Sequence, residues 1–98
     1  MTDFELKYLN YISKNENFIL EGNREYWEML VFTDNKIFIS FGDTMQNRET
    51  GRTMLSDEQA LFRIKKYYLE KNDYYDIDPD SLTLEQVFDK INLNFKFD

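Results

Sequence analysis

The residues best equipped for chemistry in this sequence are carboxylates. Asp76-x-Asp78-x-Asp80 has the spacing that opens a calcium loop, in which alternate side chains turn toward one ion. Such a loop also needs glycine at its sixth position and a bidentate glutamate at its twelfth, where this chain has Ser81 and Val87, and Pro79 constrains the fourth. The match is partial, and no metal is assigned. Glu28 is a second candidate. Among apolar strand neighbours it would suit general acid or base work, whereas near the end of a sheet it would pair with a basic side chain.

Histidine and cysteine are both absent, which removes the usual zinc sites, thiol chemistry and His-activated nucleophiles. There is no GxGxxG, P-loop or GxSxG, and the glycines stand apart at Gly22, Gly42 and Gly51. A catalytic pocket needs several convergent polar groups, and none can be assembled here. The expectation is a non-enzymatic protein without a cofactor.

The charge is concentrated in one segment. The formal net charge is -7 over 98 residues, and residues 72–89 hold Asp73, Asp76, Asp78, Asp80, Glu85 and Asp89 with no lysine or arginine. Tyr74, Tyr75 and Ile77 lie in the same segment. Two readings of it stand side by side. One is a solvated acidic loop between two helices, with Asp78-Pro79 breaking the chain and acids favoured near the next helix N-terminus. The other is a docking patch, in which Asp73, Tyr74, Tyr75, Asp76, Asp78, Asp80 and Glu85 meet a protein partner with a basic surface. There the acids imitate phosphate charge and the rings supply buried contact. Direct nucleic-acid binding is disfavoured, because its affinity comes mostly from Lys and Arg on phosphates.

The elements that must position these residues are signalled locally. Thr2/Glu5, Ser56/Gln59 and Thr83/Gln86 have capping-box spacing, predicting helices over about 3–14, 57–71 and 83–91. On the second helix Ala60, Leu61, Ile64, Tyr67 and Tyr68 form one stripe. Phe62 and Leu69, flanked by Lys65 and Lys66, form another, either packed by the C-terminal helix or left as a contact site.

Between the first two helices, Gly22-Asn23 and Asp34-Asn35 suit two-residue hairpin loops and predict an antiparallel meander over about 18–42. Two-residue loops place Phe32 opposite Ile37, Leu30 opposite Ile39, Glu28 opposite Phe41 and Ile19 opposite Tyr26 on one face. Phe18 opposite Trp27, Val31 opposite Phe38, Met29 opposite Ser40 and Trp27 opposite Gly42 share the other. Both faces are apolar, so either helices cover both sides or part of the second face is open to a partner. Coverage by the protein's own helices is the expectation.

Residues 43–55 read as a fourth strand around a turn at Glu49-Thr50-Gly51-Arg52, or as a projecting loop carrying Arg48 and Arg52. The alternation of Leu93, Phe95 and Phe97 with polar residues predicts a terminal strand over 92–97, with those three turned inward. The expected fold is thus α+β in a single domain, an antiparallel sheet of four to five strands packed with three helices.

The longest apolar run, Met29-Leu30-Val31-Phe32, is far short of the roughly 20 residues of a spanning helix, and the start is acidic where a secretory signal would be basic. A cytoplasmic chain is expected, monomeric or weakly dimeric. In general character it is similar to small acidic immunity proteins and phage anti-defence proteins, groups without a shared motif. The functional expectation is an inhibitor of a nuclease toxin or another nucleic-acid-handling effector. An anti-CRISPR nucleic-acid mimic and a structural or assembly subunit, self-associating through the second sheet face or the terminal strand, are the alternatives.

Overall fold

Each helix begins at a reciprocal cap. In a computed structural model describing residues 1–97, Thr2, Ser56 and Thr83 each accept the backbone N–H three residues on, and Glu5, Gln59 and Gln86 reach back to the capping residue's own N–H. These caps start α1 (Asp3–Ser13), α2 (Asp57–Lys71) and α3 (Leu84–Lys90). The pairing satisfies two of the amides that a helix start leaves without an internal partner.

Between α1 and α2 lies a four-stranded antiparallel meander in the order β1-β2-β3-β4, with β1 at Asn17–Gly22, β2 at Tyr26–Thr33, β3 at Lys36–Asp43 and β4 at Arg48–Leu55. The fold is α+β. Asp34 and Asn35 take φ of 53° and 59°, the left-handed pair that a tight two-residue hairpin requires. The expected β2/β3 register therefore holds, with Phe32 opposite Ile37, Leu30 opposite Ile39, Val31 opposite Phe38 and Trp27 opposite Gly42.

The β1/β2 register differs from the expected one. Phe18 faces Leu30 and Ile19 faces Met29, rather than Trp27 and Tyr26. The loop is wider than two residues because the Asn23 side chain accepts the N–H groups of Glu25 and Tyr26 at 2.7 and 2.9 Å. A bulge between Ile19 and Glu21 accommodates the rest. The register moves by an odd number of residues, so the side chains exchange faces. Phe18 packs on the core and contacts Tyr67, while Ile19 is turned to the opposite face and is 58% exposed.

The fourth strand is present, but its turn is at 44–47 rather than 49–52. Asp43 accepts the N–H groups of Met45 and Gln46, and Asn47 takes a φ of 50°. The expected strand over 92–97 is not formed among the described residues. Instead this stretch lies across α1, with the Phe95 ring 5.1 Å from Tyr8 and 5.4 Å from Tyr11. Its alternation is satisfied by a helix-borne aromatic cluster rather than by a sheet edge. Phe95 is half-buried, while Leu93 and Phe97 remain exposed.

The core joins Leu30, Ile37 and Ile39 of the sheet to Tyr8, Leu9 and Ile12 of α1, Ala60, Leu61 and Ile64 of α2, and Leu84 and Phe88 of α3. All these sheet residues belong to one face. The expectation that helices cover both faces is overturned, since Ile19, Trp27, Met29, Val31, Phe38 and Met54 join no part of this core. Three helices of 11, 15 and 7 residues cover one side of the sheet with the apolar residues named above. Among the described residues, no helix is long and apolar enough to cross a membrane.

Candidate protein-binding surface

The acidic segment is a built connection between α2 and α3. At the end of α2, Asp73 takes a φ of 65°, its N–H bonds the Glu70 carbonyl at 3.1 Å, and the Tyr74 N–H bonds the Leu69 carbonyl at 2.9 Å. This is a Schellman closure with aspartate where glycine is usual. The reversed chain then returns along α2, so that Tyr74, Tyr75, Ile77 and Pro79 line a cleft of about 80 Å³ with Phe62 and Leu69. Leu69 is buried and Phe62 half-buried, so the second stripe of α2 is largely covered, with this loop supplying part of the cover.

Farther on, Asp78 caps a single 3₁₀ turn, Pro79–Ser81. Its carboxylate accepts the Asp80 N–H at 2.9 Å, and its carbonyl accepts the Ser81 hydroxyl at 2.6 Å. Lys65, only 7% exposed, anchors the far end by donating to the Leu82 carbonyl at 3.0 Å, with Asp80 at 3.9 Å. Sequence reasoning placed Lys65 beside the second stripe of α2 and missed this anchoring role. Its phase on the helix, about 40° from both Leu61 and Leu69, is the signal that points to burial.

A second fastening comes from the N-terminus. The Glu5 carboxylate, 5% exposed, accepts the Thr2 N–H at 2.8 Å and the Leu84 N–H at 3.1 Å, so one side chain caps α1 and α3 together. Burial raises the pKa of this group, but hydrogen bonds from the Thr2 and Leu84 backbone and the charge of Lys65 outweigh it and hold the carboxyl below its ordinary value. Thr2 in turn donates its hydroxyl to Glu85 at 2.9 Å.

The seven residues singled out from sequence thus divide. Asp73, Asp76, Asp78 and Asp80 are exposed, and Tyr75 stands 70% exposed among them. Tyr74 is half-buried beneath Lys90, whose ammonium lies 5.2 Å from the ring centroid. Glu85 is engaged by Thr2 and belongs to the fastening more than to the surface. Among the described residues, Lys65–Asp80 is the ion pair that reaches this segment. The surface therefore presents a large aromatic ring amid carboxylates whose charge is scarcely compensated.

The other chemical candidates resolve structurally. Among the described residues no group of three or more carboxylates is gathered to hold a metal ion, so the Asp76, Asp78 and Asp80 spacing does not converge on a centre. Glu28 meets Arg63 across the sheet end at 3.1 Å, which is the second of its two readings. A cleft of about 470 Å³ lies between α1 and the β2–β3 turn, and no residue of the acidic segment lines it. No protein family, curated protein or solved structure compared with this chain matches it.

Proposed function

We propose that this chain is a non-enzymatic cytoplasmic inhibitor that docks its acidic segment on the basic surface of a protein effector, as the immunity partner of a nuclease toxin. The observation that carries the reading is Tyr75, 70% exposed and flanked by exposed Asp73, Asp76 and Asp78 on a loop closed at both ends. An exposed tyrosine offers a large contact area at small entropic cost, and aromatic residues are enriched among the anchors that dominate interfaces. The surrounding carboxylates steer the approach of a basic surface and penalise acidic competitors. Fastening by the Asp73 turn, the Asp78 cap and Lys65 holds the loop in one shape, which lowers the ordering cost of binding.

The test is co-purification of the tagged chain from its host, followed by reconstitution with the captured protein. A nuclease whose activity falls in a stoichiometric titration is the expected result. A Tyr75→Ser, Asp76→Lys variant should bind it about 30-fold more weakly or worse, as loss of an interface anchor does, and with a shallower salt dependence. Unchanged affinity together with a flat salt response would remove the segment from the mechanism. Capture of an RNA-guided nuclease complex would instead place the chain in the anti-defence class.

A further inference from the structure

The second face of the sheet is unaccounted for by the docking reading. It carries Ile19, Trp27, Met29, Val31, Phe38 and Met54, none of them in the core, with Ile19 and Met54 58% and 59% exposed. Trp27 lies low on this face for a reason of packing. A side chain at Gly42 would overlap the six-membered ring of Trp27, so the indole lies down on the backbone of β3 instead of standing away from the sheet. Apolar patches of more than a few hundred Å² are uncommon on monomers and mark interaction sites.

We infer that this face packs against the same face of a second copy of the chain, forming a two-fold sandwich of sheets. Two observations select a second copy over another protein. The first is charge. By register the charged residues of this face are Lys36, Arg52 and Glu49, and Arg52 is already paired with Glu49 at 2.9 Å while its guanidinium lies 5.5 Å from the Phe38 ring centroid. The face therefore lacks the acidic excess of the chain. The segment at 72–89 belongs to the helix layer, so apposing two sheet faces leaves both acidic segments on the outer sides, separated by more than the Debye length of about 8 Å at physiological salt. A basic partner would find its complement on the helix side, away from this face.

The second is area. One strand of six residues and three of eight, about 4.8 Å apart and rising about 3.3 Å per residue, cover about 480 Å², so a face-to-face pair buries at most about 1,000 Å² in total. That falls below the roughly 1,200 Å² of stable interfaces and in the range of transient ones, so it fits a weak, reversible dimer rather than an obligate one. Twisted sheets pack face to face with strands about 30° apart, and apolar side chains that alternate along the strands interdigitate between them. An isologous contact of this kind closes at two copies and does not propagate into a filament.

The inference is independent of the acidic-segment reading, and salt separates the two. Dimerisation through an apolar face between two acidic chains should hold or tighten as salt rises, whereas docking on a basic partner should weaken. Sedimentation of the full chain over a wide concentration range should show a monomer–dimer equilibrium. Ile19→Lys with Met54→Lys, at two sites already more than half exposed, should raise Kd about tenfold or more while circular dichroism stays native. The Tyr75→Ser, Asp76→Lys variant should dimerise as the parent does. A readout that needs no substitution is acrylamide quenching of Trp27, the sole tryptophan, which should weaken as concentration rises. A chain that sediments as a monomer throughout, or a dimer indifferent to the two lysines, overturns the inference. So does a dimer that dissolves with salt or with the Tyr75 variant.

Discussion

Replacing Glu5 by Gln keeps the size and shape of the side chain and removes one acceptor oxygen and the negative charge. In the parent, Oε1 accepts from the Thr2 N–H at 2.8 Å and Oε2 from the Leu84 N–H at 3.1 Å. The amide can satisfy one of these donors. It must then point its NH₂ at the other, and Leu84 is fully buried. Losing a hydrogen bond to a charged acceptor costs about 1.5–3 kcal/mol, and stranding a buried donor adds about 1–3 kcal/mol, with some overlap between the two. Lys65 also loses the carboxylate that acts on it from nearby. The expected destabilisation is about 3 kcal/mol, against a total of about 5–15 kcal/mol for a domain. At this size that lowers Tm by about 10–20 °C.

The pH dependence has a definite sign. The folded-state pKa of Glu5 is depressed below the ordinary 4.5. Its contribution is therefore fully present above the unfolded-state pKa and is lost as pH falls through the folded value. Glutamine does not titrate, so the gap between parent and variant should narrow once the pH drops below about 4.5. Urea unfolding of both proteins at neutral pH and at several acidic pH values measures it. A gap under about 1 kcal/mol at neutral pH, the size of one ordinary neutral hydrogen bond, would refute the double-cap assignment. So would a gap that persists unchanged in acid.

Two further outcomes follow from packing and burial. Gly42→Ala would place a methyl group inside the Trp27 ring, so it should cost about 1–3 kcal/mol of overpacking. The displaced indole should change its emission, and a variant with parental Tm and spectrum would contradict the contact. Burial raises the pKa of Tyr8 far above the ordinary 10.0, helped by the hydroxyl contact with Tyr68 at 2.7 Å. This stabilisation is complete below the unfolded pKa and is lost as pH rises toward the folded value. In an alkaline absorbance titration Tyr8 should ionise only as the fold opens. Ionisation of all seven tyrosines of the chain near pH 10 with the fold intact would count against its burial.

Features decided by contacts a few residues apart are legible in the sequence itself. The three capping boxes specify their helices because donor and acceptor are three residues apart. The Asp34-Asn35 loop sets the β2/β3 register because both residues tolerate left-handed φ at little cost. Across the Asn23 loop that logic fails, since a side-chain acceptor widens the turn and carries Phe18 and Ile19 to exchanged faces. The terminal alternation is real, but period alone does not name the surface that takes up Phe95, and here it is α1.

For the candidate surface, sequence by itself determined the composition: six acids and two tyrosines in one stretch without a base, in a chain lacking histidine and cysteine. Tertiary structure decided which of them face outward. It withdrew Glu85 into a hydrogen bond with Thr2 across 83 positions, set Lys90 over Tyr74 and left Tyr75 projecting. It also put all three helices on one side of the sheet, leaving the face of Trp27 and Met54 without a covering layer. Charge and helix starts are properties of neighbours along the chain. Exposure, and therefore the partner a surface can take, is settled only when distant segments compete for the same apolar ground.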